Sequence, residues 1–296
     1  MVRTMKSAAT LLASLLLGAS LSGAEAPAPA PGAPVEISVG GTAISIPVPP
    51  GFEQLTPDLQ PAYDFAQRFV YETNQEFVLF LPADQIAAAK DLKIPDLDRK
   101  LSVQVEKDEI PRFIANDRFA AKKQTLKAFL KDAVAQVEAK APGSIAKIEG
   151  GLGADEPLDS RLAAQQVISL PPHDEGDRRI SFSMLVVVNN EGPAGTVSTG
   201  QLAGTVTHLH VKGKYLVLYA MGTKSDLAWS RATSQSWVAA VLAANPSSPE
   251  TAKAEAAPTP SDTHWTRMAL EVTLPVVLAA AAWFVLRKRR KKVPAT

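Results

Sequence analysis

Residues 268–286, MALEVTLPVVLAAAAWFVL, form an apolar run broken by a single charge, Glu271, and the next six residues, 287–292, are all Arg or Lys. At ~1.5 Å rise per residue, such a run spans about 28 Å as a helix, close to the ~30 Å hydrocarbon core of a bilayer. No globular core is needed to explain a segment of that length and composition. Arg and Lys next to a span mark its cytoplasmic side, which places residues 287–296 inside the cell as a basic tail. Glu271 lies one helical turn after Arg267 near the outer interface, where both side chains reach water by snorkelling.

The other end of the chain agrees with this topology. Arg3 and Lys6 precede an apolar stretch over residues 8–19 that is too short to span, and Ser22-Gly23-Ala24 sets small residues around a cleavage position. Residues 1–24 therefore read as a removable signal peptide, and the expected mature chain is a type I single-pass protein. Residues 25–34 and 246–264 are rich in Pro, Ala and Ser; they cannot bury a core and read as linkers. What remains, residues 35–245, has the size of one extracytoplasmic domain.

Charge and cysteine content limit what that domain does. Over residues 25–264 there are 22 Lys and Arg against 29 Asp and Glu, a formal charge of −7, which argues against nucleic acid as a partner. The chain has no cysteine, so thiol catalysis, iron–sulfur ligation and cysteine-zinc sites are excluded, and the fold is held by its core alone.

Residues 35–39 and 43–48 alternate around Gly40-Gly41, a hairpin signal that Pro49-Pro50-Gly51 terminates. Leu59, Tyr63, Ala66, Phe69 and Val70 recur at helical spacing and predict a helix over residues 59–74; residues 83–90 fit a further helical turn. Phe119, Leu126, Leu130, Val134 and Val137 make one stripe of a long helix that Pro142-Gly143 ends. Strands are expected at residues 77–81, 101–105, 145–148, 164–170, 180–188, 205–211 and 215–221. The last lacks polar alternation and belongs at the sheet centre. A final helix begins near Ser225 or Asp226, carries Leu227, Trp229, Trp237, Val238, Val241 and Leu242, and stops at Asn245-Pro246. This order predicts an α+β fold, helices packed on a mainly antiparallel sheet in an α/β/α sandwich-like arrangement, followed by one transmembrane helix.

Ile-Pro-Val-Pro-Pro-Gly-Phe at residues 46–52, the long mid-chain helix and the closing strand-helix unit over residues 214–244 resemble the α/β/α sandwich of Mog1/PsbP/DcrB-type proteins. The stretch from Val211 to Trp229 is also similar to membrane-anchored, uncharacterised bacterial envelope proteins. The resemblance implies an accessory binding or assembly role and transfers no functional residue.

Candidate chemistry is sparse. His208 and His210 flank Leu209 on a predicted strand, so both imidazoles leave one face about 7 Å apart, within reach of one metal ion. The plainer alternative is a pair of polar residues on the wet face of a strand whose Leu209 and Val211 face the core. Asp174-Glu175-Gly176-Asp177 lacks the period of a calcium loop and reads as a solvated turn. Ser144-Ile145-Ala146-Lys147 matches Ser-x-x-Lys in letters without the companion motifs of penicillin-recognising enzymes, and residues 195–200 place their serine one position late for a nucleophile elbow. Trp229 and Trp237 lie eight apart, near one helix face, and read as core. There is no Walker loop and no His-Glu-x-x-His. No catalytic residue and no cofactor are expected.

Two functions stay open. One is a binding or assembly module of the bacterial envelope, tethered to the outer side of the cytoplasmic membrane in the periplasm and acting on another envelope protein. The other is a metal-dependent envelope enzyme that uses His208 and His210.

Overall fold

The computed structural model describes residues 32–68, 70, 72–95, 98–151, 162, 167–191 and 197–246. The expected signal peptide and the span at residues 268–286 lie outside the described residues, as do most of the two linkers. Among the described residues no helix is long and apolar enough to cross a membrane.

The chain opens with the expected hairpin, β1 (Val35–Val39) and β2 (Thr42–Ile46), paired antiparallel from Val35↔Ile46 to Val39↔Thr42. Gly40 and Gly41 carry φ of 52° and 80°, the left-handed conformation that a two-residue turn between right-twisted strands needs. Gly40 is fixed for a second reason: a Cβ there would lie 2.1 Å from the Ile110 carbonyl oxygen.

The other strands form one seven-stranded antiparallel sheet. Its members are β3 (Phe52–Gln54), β4 (Asn74–Pro82), β5 (Lys100–Glu106), β6 (Val167–Gly176), β7 (Arg179–Glu191), β8 (Val197–Val211) and β9 (Lys214–Thr223), in the order β3-β4-β5-β9-β8-β7-β6. β9 therefore occupies the middle, and every residue from Lys214 to Gly222 is buried, as its unbroken apolar run requires. The helices are α1 (Ala62–Gln67), α2 (Ala83–Lys90), α3 (Asn116–Lys140), α4 (Ser144–Glu149) and α5 (Leu227–Ala244).

Helices cover both faces. On one face, Trp237, Val238 and Val241 of α5 and the β1–β2 hairpin pack on Phe80, Leu101, Val103, Leu209, Val211, Leu216 and Leu218. On the other, Phe119 and Leu130 of α3 pack on Phe182, Met184, Val206, Tyr215, Val217 and Tyr219. Leu79 and Leu81 of β4 are covered by Ala62 and Phe65 of α1 and Ile86 of α2. The last turns of α3 and α4 seat Val137, Ile145 and Ile148 against Ile168, Leu170, Leu185 and Val187. The α+β class with a large antiparallel sheet is thus the observed one.

Several boundaries differ from the sequence reading. Residues 145–148 are helical, not extended: Ile145 and Ile148 are three apart and both buried, a spacing that shares one face of a helix and would fall on opposite faces of a strand. The helix expected over residues 59–74 shrinks to α1, because the chain pairs into β4 from Asn74 onward. β8 begins eight residues earlier than expected and pairs with β7 from Val197↔Glu191 through Leu209↔Arg179. Asp174, Glu175 and Gly176 end strand β6, so the reversal falls at Asp177-Arg178 and Asp174 binds Arg179 across it.

Candidate functional site

His208 and His210 do leave the same face of β8, but that face is not wet. Because α3 lies over it, His208 is 5% exposed and His210 7%. His208 stacks on Phe182 at 5.8 Å between ring centroids, and its Nδ1 meets the Tyr215 hydroxyl. His210 stacks on Phe119 at 5.4 Å, and its Nε2 is 2.6 Å from the Ile114 carbonyl oxygen. Burial, followed by the nearby Lys122 charge, pushes the His208 imidazole down to about 3, so it is neutral at ordinary pH. Burial also lowers Lys122, to about 7, against the upward pull of Glu109, whose carboxylate lies 3.4 Å away. Among the described residues no group of three or more His, Cys, Asp or Glu side chains is disposed to hold a metal ion. The two imidazoles are thus built into the core contacts of α3, each with its own partner.

A second polar group lies where α1, β4 and β5 meet. The Glu76 carboxylate accepts from Ser102 Oγ at 2.6 Å and from Gln67 Nε2 at 2.8 Å, while Asn74 donates to Gln104 at 3.0 Å. Burial raises the Glu76 carboxyl above its ordinary range, and Ser102 is the largest opposing influence.

A cavity of about 410 Å³ lies between the start of α5, the end of α4 and strand β6. Its polar lining includes Glu149, His173, Asp174, Lys224, Arg231 and Gln235, and Gly150, Ala228 and Ala232 keep its walls low. Local chemistry fixes these positions. Thr223 and Asp226 form a capping box that starts the α5 segment, and Asp226 is further held by Arg99 at 2.6 Å. Helical spacing then places Ala228, Arg231 and Ala232 on one wall. Asp174 is fully engaged by Arg179 through bonds of 2.7 and 3.1 Å. Burial, followed by Arg231, holds the His173 imidazole down to about 4, so the cationic character of the cavity comes from Lys224 and Arg231.

Arg231 is positioned by a chain of hydrogen bonds whose direction can be worked out. Its Nε donates to Ser183 Oγ at 3.0 Å; Ser183 meets Thr205 at 3.1 Å, Thr205 meets Ser230 at 3.0 Å, and Ser230 donates to the Leu227 carbonyl at 2.9 Å. A hydroxyl has one proton. Since Ser230 spends its proton on Leu227, Thr205 must donate to Ser230 and Ser183 to Thr205. The guanidinium charge therefore heads a one-way relay that ends on the first turn of α5. One step along the strands, Thr207 repeats the arrangement, with Ser181 at 2.7 Å and Ser234 at 2.8 Å.

None of these residues was singled out from the sequence. A signal existed: Ser181 and Ser183 on β7, Thr205 and Thr207 on β8, and Ser230 and Ser234 on α5 repeat at strand and helix spacing. In isolation each strand pair reads as a wet face.

No family model matches the chain, and no curated protein matches it. Among solved structures it is similar to the Ran-binding protein Mog1p of Saccharomyces cerevisiae, with 12% identity over 81% of this chain and 92% of that one and a TM-score of 0.27. It is also similar to a point mutant of Mog1, with 11% identity over 81% and 93% of the two chains and a TM-score of 0.26. Both are Mog1 proteins, one of the groups the sequence resembles; at these TM-scores the likeness carries no argument about fold or function.

Proposed function

We propose that this chain is a membrane-tethered binding or assembly module of the bacterial envelope, held on the outer side of the cytoplasmic membrane and acting on another envelope protein. The observation that supports it most is the way the fold ends. Asn245, the residue after α5, is wholly buried: its side chain accepts from Ser45 N at 3.0 Å and donates to Ser45 O at 2.7 Å and Val241 O at 2.8 Å. Its own carbonyl accepts from Arg178 at 3.0 Å. Ser45 pairs with Glu36, so the first strand and the last helix meet at one end of the domain. A pull on the chain beyond Asn245 is met by the hairpin and the β6–β7 turn before it can peel α5. The cavity lines the first half of α5, from Leu227 to Gln235, about 15–27 Å from Asn245 at ~1.5 Å per residue, toward the end that a tether at Asn245 would turn outward.

Photo-crosslinking in intact cells tests this reading. Residues lining the cavity should give discrete adducts with an envelope protein, and deleting residues 268–296 should release the chain from the membrane and abolish them. A chain that stays with the membrane after that deletion refutes the tether. The alternative, a metal-dependent enzyme, draws on one observation: the buried His208 Nε2 has no hydrogen-bond partner among the described residues. Stoichiometric zinc, copper or nickel that survives dialysis and disappears on replacing His208 and His210 with Gln would favour it.

A further inference from the structure

We infer that the cavity at the start of α5 is a carboxylate-binding site and that Glu149 acts as an intramolecular stand-in for its ligand. This inference goes beyond the tether reading and does not depend on it. The cavity's volume, about 410 Å³, lies in the range of small-ligand sites. Its charges are unevenly committed. Asp174 is locked to Arg179 by two short bonds, whereas Glu149 meets Arg231 through one contact of 3.2 Å, longer than the ~2.7–2.9 Å usual for a charge-assisted bond.

Glu149 is also poorly placed to stay. It is the last residue of α4, where a negative charge meets the negative end of the helix, and its side chain is 36% exposed. Arg231 differs in both respects. Its side chain is 24% exposed, and its Nε is held by the Ser183 relay, so the guanidinium keeps its aim whether or not Glu149 is there. Lys224, 9% exposed, adds a second cation to the lining. A planar guanidinium with one edge fixed by protein and the other toward a cavity suits a carboxylate, which it meets through parallel bonds. Gly150, Ala228 and Ala232 leave space for the remainder of the ligand. The carboxylate can belong to a small dicarboxylate or to an acidic side chain of a peptide.

Calorimetric titration of the purified full-length chain tests the assignment, with succinate and the dipeptide acetyl-Asp-Glu-amide as probes and inorganic phosphate as comparison. Glu149→Gln removes both competitor and like charge, and should tighten binding of at least one carboxylate probe by about tenfold. Ala232→Trp fills the cavity without altering charge, and should abolish binding while circular dichroism stays that of the parent. Stronger binding of the dipeptide assigns the site to a protein segment, and stronger binding of succinate to a small molecule. The inference is overturned if Glu149→Gln leaves both affinities unchanged or weaker, if neither probe binds either protein, if Ala232→Trp folds and still binds, or if phosphate matches the carboxylates in affinity and variant response.

Discussion

Thr205→Val interrupts the relay at its centre with almost no change of volume, so its effect is that of the hydroxyl. Thr205 is fully buried, as are Ser183 and Ser230. After the substitution Ser183 keeps a proton with no acceptor, at a cost of about 1–3 kcal/mol for a buried unpaired donor, while Ser230 loses an incoming bond yet still donates to Leu227. Ser230→Ala strands the Thr205 proton in the same way, whereas Ser183→Ala strands only Arg231 Nε, on a partly exposed side chain, so the two buried orphans would together cost roughly 2–6 kcal/mol if the sites were independent. The triple replacement leaves no orphan inside the seam. Only Arg231 Nε loses an acceptor, and its side chain is exposed enough for water to serve. The triple variant is therefore expected to cost no more than about 3 kcal/mol, below the sum of its parts. Urea denaturation of residues 32–246, with linear extrapolation, measures all four variants. Additive losses, or a Thr205→Val effect under about 0.5 kcal/mol, would refute the relay.

Three further outcomes are expected. Leu218→Ala, at a position 1% exposed on the central strand, should cost about 2–5 kcal/mol by denaturation, and a loss under half a kcal/mol would mean the core is misplaced. Leu92→Gly should stabilise by about 0.5–1 kcal/mol, because Leu92 is 73% exposed, has φ of 58° and fills the position after helix α2 where Lys93 N bonds Ala88 O and Leu92 N bonds Ala89 O, a cap that favours glycine. His208, held down to about 3 in the fold and near 6.5 when unfolded, makes the unfolded state bind more protons between those values. Stability should therefore fall as pH drops through that window, and a melting series in which His208→Gln shows the same slope as the parent would exclude His208 as a source.

The elements most legible in the sequence were those whose pattern is long or whose turn chemistry is exact in type. β9 announced its central place by seven residues without polar alternation, and Gly40-Gly41 fixed the first hairpin. Short segments failed: α4 has only Ile145 and Ile148 to reveal it, and one pair of apolar residues in six is too few to establish a period, although their spacing of three is the helical one. The burial of His208 and His210 was illegible in the sequence for a different reason. Alternation along β8 separates two faces correctly, yet it does not tell that α3 covers the second face, since Phe119 and Leu130 come from more than seventy residues earlier in the chain. Serine and threonine in β7 and β8 carry the same ambiguity, and pairing with Ser230 and Ser234 resolves it only once α5 is seated on the sheet.

The hydroxyl seam also accounts for how α5 finds one position on that sheet. Trp237, Val238 and Val241 supply adhesion through apolar contact, which is tolerant of sliding. Hydroxyl pairs are not tolerant. Shifting α5 by one turn would move Ser230 toward the place of Ser234 and set side chains of other size and polarity against Thr205 or Thr207, leaving a buried donor unpaired at about 1–3 kcal/mol for each. The seam thus selects the register, and the same register sets Arg231 over Ser183 at one end of the helix and Asn245 against Ser45 at the other. The aim of the cavity's guanidinium and the anchorage of the domain's exit are two results of one packing choice, so weakening the seam should loosen both ends of α5 together.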